Sequence, residues 1–270
     1  MRSKSPEKGE ARGHASGEGA LYLYGIVGGP VEEPLGLSGI GQPPGDVFVI
    51  PYDDIAAVVS KTPETEFPPS RQNVFTHQRV LLSLMERYTV IPVSFGNTLG
   101  TAHDVIEVLR GGYDGFKGTL SYIHGKIEVG LAVSWKQEAF MEELKSIGKG
   151  LASMTGPRRR ILRQPSHSLQ TAISTGEAAA EALAVRAAKI SRAIHDNLKT
   201  YTVSSRLNAP LGERMVLNAA YLVEKARETE FDQRVNEVAA ELGDRFDFNY
   251  TGPWPPYNFV DIRLKIAGPR

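Results

Sequence analysis

From Lys126 onward the hydrophobic period of the chain switches in a fixed order, and that order restricts the fold more than any other feature. KIEVGLAVSW (Lys126–Trp135) sets Ile127, Val129, Leu131 and Val133 at alternate positions, the period of a half-buried strand. Helical stretches follow at Lys136–Ile147 and Arg158–Leu162, then a long helix over Gly176–Lys199. In that helix Leu183, Ala187, Ile190, Ile194, Leu198 and Tyr201 advance by threes and fours. Its alanines favour helix and let a neighbouring helix come close. YTVSS (Tyr201–Ser205) and MVLNAAYLV (Met215–Val223) read as a strand pair around LNAPLGE. Arg227–Leu242 is a helix with Phe231, Val235, Val238 and Leu242 on one stripe, and RFDFNY (Arg245–Tyr250) alternates as a strand. Strand, helices, strand, strand, helix, strand is the βαββαβ order of a ferredoxin-like unit.

The first half repeats that order with its first helix replaced by a loop. LYLYGIV (Leu21–Val27) sets Leu21, Leu23 and Gly25 against Tyr22, Tyr24 and Ile26, apolar enough on both faces for a central strand. Gly28–Gly45 is too rich in glycine and proline to hold a helix. VFVI (Val47–Ile50) and IAAVVS (Ile55–Ser60) flank PYDD as a hairpin. Arg71–Tyr88 is a helix, VIPVSF (Val90–Phe95) an edge strand or strand start because of Pro92, and Asp104–Arg110 a short helix. A second short helix is expected around Phe116–His124. The expected fold is therefore α+β in two domains: a modified ferredoxin-like unit over residues 20–124 and a ferredoxin-like βαββαβ unit with a long helix over 125–270. The join is expected within Gly111–Gly125, and residues 1–19, rich in Gly, Ser, Glu, Lys and Arg, form a disordered arm.

Charge and composition narrow the function. Lysine plus arginine equals aspartate plus glutamate, 31 each, so no global field draws the chain to nucleic acid or an anionic membrane. With no cysteine there is no disulfide, thiolate nucleophile or zinc-thiolate site. No run approaches the ~20 apolar residues that cross a bilayer. The first twenty residues lack the apolar core of a secretory signal, so a cytoplasmic location is expected.

A search for chemistry returns little. GIGQPPG (Gly39–Gly45) is glycine-rich, but Pro43 and Pro44 remove two donors where a phosphate loop needs them, and a strand follows instead of a helix. His14, His77, His103, His124, His167 and His195 show no metal spacing, and His77 on the apolar face of its helix reads as a core histidine. Asp53 and Asp54 are turn neighbours that point apart, and no serine stands in GxSxG. TGPRRRILRQ (Thr155–Gln164) holds Arg158, Arg159, Arg160 and Arg163, which can clamp phosphate or an acidic partner, or form the solvated face of a helix. No catalytic residue, metal or cofactor is expected.

What stands out instead is YTGPWPPYNFV (Tyr250–Val260). In Gly252–Pro256 three of five residues lack an N–H and have φ fixed near −65°. Gly252 and Trp254, each before a proline, are expected to be extended, and Trp254–Pro255 is the bond to check for cis. Tyr250, Gly252, Pro253, Trp254, Pro255, Pro256 and Tyr257 form a stiff strap expected to bury ~150–250 Å² per aromatic ring. Pro253 and Pro256 also satisfy PxxP, but the run is wedged between strand-like segments rather than in a polar tail.

Leu217–Val238 together with YTGPWPPYNFV resembles the C-terminal part of the gas vesicle protein F/L family (GvpF and GvpL). LYLYGIV resembles the family's opening strand, and HQRVLLSLMERYTVIPVSFGNTL (His77–Leu99) its helix-strand segment. Where members carry an arginine before FGT, this chain has Ser94, and Asn97 replaces the threonine. The resemblance implies two α+β domains with a coiled-coil-like helical element in the second. It also implies a non-enzymatic accessory protein of gas vesicles that contacts the shell protein GvpA and other accessory proteins, located at the vesicle or in the cytoplasm. An edge strand such as the one containing Pro92 can then cap a shell subunit. Pro92, Arg158, Arg159, Arg160 and Arg163 are the candidate partner surface. Two rivals remain open: a small-molecule sensor or enzyme using the cleft between the two sheets, and a nucleic-acid-binding regulator using Arg158–Arg163.

Overall fold

The computed structural model describes residues 19–154 and 165–260 of the 270-residue chain. Helices and two antiparallel sheets alternate along the sequence. The first sheet comprises β1 (Ala20–Gly28), β2 (Val47–Tyr52), β3 (Ile55–Thr62), β4 (Val90–Pro92) and β5 (Thr98–Leu99), in the order β2-β3-β1-β4 with β5 also paired to β1. The second comprises β6 (Lys126–Trp135), β7 (Ser204–Leu207), β8 (Met215–Glu224) and β9 (Phe246–Trp254), in the order β7-β8-β6-β9. Numbered within each sheet, both orders read second, third, first, fourth.

β1 is buried from Ala20 to Val27, as a strand covered on both faces must be. Strict alternation fails in its middle, however. A bulge between Leu23 and Gly25 reverses the facing, so Leu21, Leu23 and Ile26 share one core and Tyr22, Tyr24 and Val27 the other. The bulge lets Gly25 lie close to β4, where a Cβ would stand 2.7 Å from the Ile91 carbonyl oxygen. The hairpin turn at Asp53–Asp54 is as expected, with Asp53 at φ 49.

Helix α1 (Arg71–Met85) starts at Ser70, whose side chain accepts from Asn73 N, and buries His77, Val80, Leu81 and Leu84 against the tyrosine face of β1. Helix α2 (Ala102–Ile123) covers the other face. Two short helices were expected there; one continuous helix of 22 residues runs through Gly111, Gly112 and Gly115. Each glycine costs about 1 kcal/mol against alanine in a helix. A capping box between Thr101 and Asp104 offsets this, together with burial of Val105, Leu109, Phe116, Leu120 and Ile123. Gly112 has its own reason: a Cβ there would stand 2.5 Å from the Phe116 ring.

The second sheet buries one face under α3 (Gln137–Met154), α4 (Pro165–Leu198) and α5 (Glu228–Leu242). Ile127, Val129, Leu131, Val133 and Trp135 alternate inward along β6, and Ile194 and Leu198 of α4 meet them. Trp135, 1% exposed, packs its ring against Phe140 and Phe246. Burial of such a side chain contributes about 1.5–3 kcal/mol. β7 begins three residues later than expected because Lys199–Tyr201 forms a 3-10 turn closing α4. β9 runs four residues beyond Tyr250 and takes in Pro253, which an edge strand tolerates.

Candidate functional site

The aromatic-proline run lies where the two sheets meet. Gly252 is not in ordinary extended geometry: its φ is 134, and a Cβ there would stand 3.1 Å from the Glu128 carbonyl oxygen. The cis bond is Gly252–Pro253, not Trp254–Pro255. Pro253 is exposed at the end of β9, Trp254 is half-buried, and Pro255 and Pro256 are buried. Tyr257–Phe259 then forms a 3-10 turn in which Tyr257 N donates to Pro255 O. Tyr250, upstream, donates its hydroxyl to Asp232 of α5 at 2.5 Å.

Two side chains of that turn reach in different directions. The Asn258 backbone N–H and side-chain amide both donate to the Glu128 carboxylate of β6, at 2.7 and 2.6 Å. Glu128 is 5% exposed, and its burial raises its pKa despite those two donors. On the other side the Tyr257 hydroxyl lies 3.1 Å from His77 Nε2 on α1. The turn thus joins a carboxylate of the second sheet to a histidine beneath the first.

His77 is the centre of a buried polar chain. Gly96 N donates to the Tyr22 hydroxyl, which donates in turn to His77 Nδ1 at 3.0 Å. That order places the ring hydrogen on Nε2, which donates to Val93 O at 3.1 Å and faces Tyr257. Burial holds the imidazole neutral and lowers its pKa to about 4. Nearby, the Tyr24 hydroxyl accepts from Ile40 N, pinning the long loop, and pairs with Ser60 Oγ. Every polar atom of the imidazole is occupied by protein, so the cluster reads as packing, and His77 is a satisfied core histidine.

Between the sheets lies a cleft of about 900 Å³, bordered by Arg87, Lys117, His124, Lys126, Lys225 and Trp254. Three of its cations are engaged locally. Lys117 pairs with Asp54, Arg87 with Glu32 at 2.5 Å, and Lys126 donates to Tyr122 O at 2.5 Å. Among the described residues no group of three or more His, Asp or Glu is placed to hold a metal ion, and no helix is long and apolar enough to cross a membrane.

Pro92 is buried, so it offers no surface itself; Tyr257 and Val260 line a small cavity of about 190 Å³ beside it. Arg158, Arg159, Arg160 and Arg163 lie outside the described residues. Asn258 and Glu128 are the members of the junction that sequence reasoning missed. A glutamate in the interior of an apolar strand was the available signal, since such a charge needs dedicated donors.

Comparison with known proteins places the whole assembly. The gas vesicle synthesis protein GvpL/GvpF family profile matches residues 20–261. Gas vesicle protein F1 of Halobacterium salinarum is 29% identical over 252 residues, covering 90% of this chain and 94% of that protein. Gas vesicle protein L of a Streptomyces species is 26% identical, covering 85% and 88%. The crystal structure of GvpF from Anabaena sp. PCC7120 superposes with a TM-score of 0.75 at 24% identity, over 90% of this chain and 97% of that one. GvpF from Microcystis aeruginosa gives 0.74 at 23%, over 90% and 99%. At these identities the structures establish a shared fold. The match over residues 20–261 establishes the rest: the chain belongs to the gas vesicle GvpL/GvpF family.

Proposed function

We propose that this protein is a non-enzymatic accessory component of gas vesicles. In this reading it binds the shell protein GvpA and other accessory proteins, supports vesicle nucleation and assembly, and resides at the vesicle or in the cytoplasm. Family membership across residues 20–261 is the observation that carries this reading. The buried histidine supports it too, since both of its ring nitrogens are bonded within the protein. The scaffold is read as two ferredoxin-like units, residues 20–124 and 125–270, with α3 and α4 as a coiled-coil-like pair; the common strand order of the two sheets supports that division. The strap Tyr250–Tyr257 acts as the clamp between them, and Arg158, Arg159, Arg160 and Arg163 as a partner surface.

One observation favours a second reading, a small-molecule sensor: the cleft of about 900 Å³ is within the range of ligand sites. Three of its four lysine and arginine side chains, Lys117, Arg87 and Lys126, are already engaged with protein groups, which favours the accessory role.

Deletion of the gene, scored by electron microscopy, tests the proposal. Absent or stalled vesicles, restored by the wild-type gene, are expected, together with co-purification of the shell protein. Normal vesicles in the deletion strain, or rescue without any shell-protein contact, would end it.

A further inference from the structure

Each sheet has two edge strands, and they are treated very differently. In an antiparallel pair, alternate residues turn their N–H and C=O outward. On β2 the outward positions are Val47, Val49 and Pro51. Val47 N donates to Leu37 O, Val49 N donates to the Glu33 carboxylate at 2.8 Å, and Pro51 has no N–H. That edge is closed. On β4, Val93 N donates inward to Tyr24 O, so Val90 and Pro92 face outward, and Pro92 has no donor and is buried. β7 has four residues, and because Asn208 N donates to Asn218 O its outward positions are only Ser205 and Leu207.

β9 is the exception. It has nine residues, and Lys136 N donates to Arg245 O, which sets the register so that Asp247, Asn249 and Thr251 bond inward to β6. Phe246, Phe248 and Tyr250 therefore present backbone N–H and C=O outward, with no partner strand among the described residues. No proline interrupts the strand before Pro253, and the irregularity in its pairing comes only beyond Thr251. A long uncapped edge in a chain that closes two of its other edges is a template for an added strand.

Charge says what kind of strand fits. Asp244 and Asp247 are exposed beside this edge, and Glu228 and Asp232 of α5 act on the Tyr250 hydroxyl from below. Arg245, the cation within this strand's approach, is turned 3.7 Å from Glu143. The inner side of the edge is lined by half-buried Phe248 and Tyr250. We propose that β9 is a docking edge for an extended partner segment that alternates apolar residues with lysine or arginine, adding a fifth strand to the second sheet. A second copy of this chain fits poorly, because β9 against β9 brings two acidic edges together.

The inference rests on the reading of this chain as a protein that binds other proteins, and its test needs no gas vesicle, so the two can fail separately. Two peptides as long as β9, one alternating valine with lysine and one alternating valine with glutamate, are titrated into the full chain while amide hydrogen exchange is followed residue by residue. The lysine peptide is expected to slow exchange at Phe248 and Tyr250 while Asp247 and Asn249, already in the ladder, stay unchanged. It should bind roughly tenfold more tightly than the glutamate peptide, and the double variant Asp244→Lys, Asp247→Lys should reverse that preference. The proposal is overturned if Phe248 and Tyr250 amides are already protected in the free chain, if the lysine peptide leaves them unprotected, or if both peptides bind equally. Concentration-dependent dimerisation with the same protection pattern would also overturn it, in favour of self-pairing.

Discussion

The hydroxyl of Tyr257 meets the imidazole of His77 across 180 residues of sequence, at 3.1 Å. Through this contact and the neighbouring Asn258–Glu128 pair, one short turn holds a helix of the first sheet and a strand of the second. The order of the polar chain predicts which hydroxyl matters more. His77 Nε2 has one hydrogen and already donates it to Val93 O, so Tyr257→Phe removes a shared contact and should cost at the low end of about 0.5–1.5 kcal/mol. Tyr22→Phe leaves both Nδ1 and Gly96 N–H without a partner, and should cost about 1–3 kcal/mol. Urea unfolding of the two variants checks the ranking; equal costs would contradict the tautomer assigned to His77.

The same histidine makes stability depend on pH. Its folded pKa, about 4, is below its ordinary 6.5, because burial disfavours the cation. A neutral form favoured by folding contributes fully above pH 6.5, and the contribution is lost as pH falls towards 4. The loss amounts to about 3 kcal/mol. Glu128 acts in the opposite sense: its raised folded pKa adds stability as pH falls through it. The groups facing His77 itself are the Tyr22 and Tyr257 hydroxyls, neither charged in this range. The difference in unfolding free energy between wild type and His77→Gln should therefore shrink between pH 6.5 and 4. A constant difference would refute the neutral, buried assignment.

Removing the donors of Glu128 tests the other half of the junction. Asn258→Ala deletes the side-chain donor at 2.6 Å and leaves the backbone N–H at 2.7 Å. A buried carboxylate that loses one of two donors should cost about 1–3 kcal/mol at neutral pH. The cost should fall below the raised Glu128 pKa, where the protonated carboxyl needs less compensation. Denaturant midpoints at neutral and acidic pH measure this, and a pH-independent cost would mean that Glu128 is not charged when the turn is docked.

Much of this architecture was legible in the sequence, and the misses have physical causes. β6 was readable because a two-residue period survives in Ile127–Val133, and β8 because Met215–Val223 is an almost unbroken apolar run, as a central strand buried on both faces is. The stripe on α4 was readable because Ile194 and Leu198 face a core made by the same segment of chain. The facing of β1 was not, since a bulge at Tyr24 reverses it and leaves no mark in composition. α2 was expected as two short helices, whereas one helix runs through Gly111, Gly112 and Gly115, with the Phe116 ring lying over Gly112 where a Cβ would stand 2.5 Å from it. At the junction the stiff Trp-Pro run was visible, but its partners were not: Asn258 and Glu128 stand 130 residues apart, and no local pattern couples them.

Gly252 gives a sharp test of the strap. With φ at 134 and Glu128 O and Val129 Cγ1 both 3.1 Å from the position of a Cβ, alanine is strained and crowded at once. Gly252→Ala should lower stability by about 1–3 kcal/mol, whereas most exposed surface substitutions cost less than about 0.5. Thermal unfolding with a retained circular dichroism spectrum is the measurement. An unchanged melting temperature would show that the turn does not depend on this backbone conformation.

Within α2, two glycines of the same helix should respond with opposite signs. At Gly115 nothing lies within 4 Å of an added Cβ, so Gly115→Ala recovers only the helical preference and should stabilise by about 0.5–1 kcal/mol. At Gly112 the same methyl meets the Phe116 ring at 2.5 Å, and Phe116 is 2% exposed in the core of the first sheet. Moving that ring disrupts a packed interior, which typically costs about 1–3 kcal/mol and exceeds the gain in propensity. Gly112→Ala should therefore destabilise while Gly115→Ala stabilises, in parallel urea titrations at one pH. Stabilisation by both would mean that Phe116 is free to move aside, and that propensity alone governs the middle of this helix.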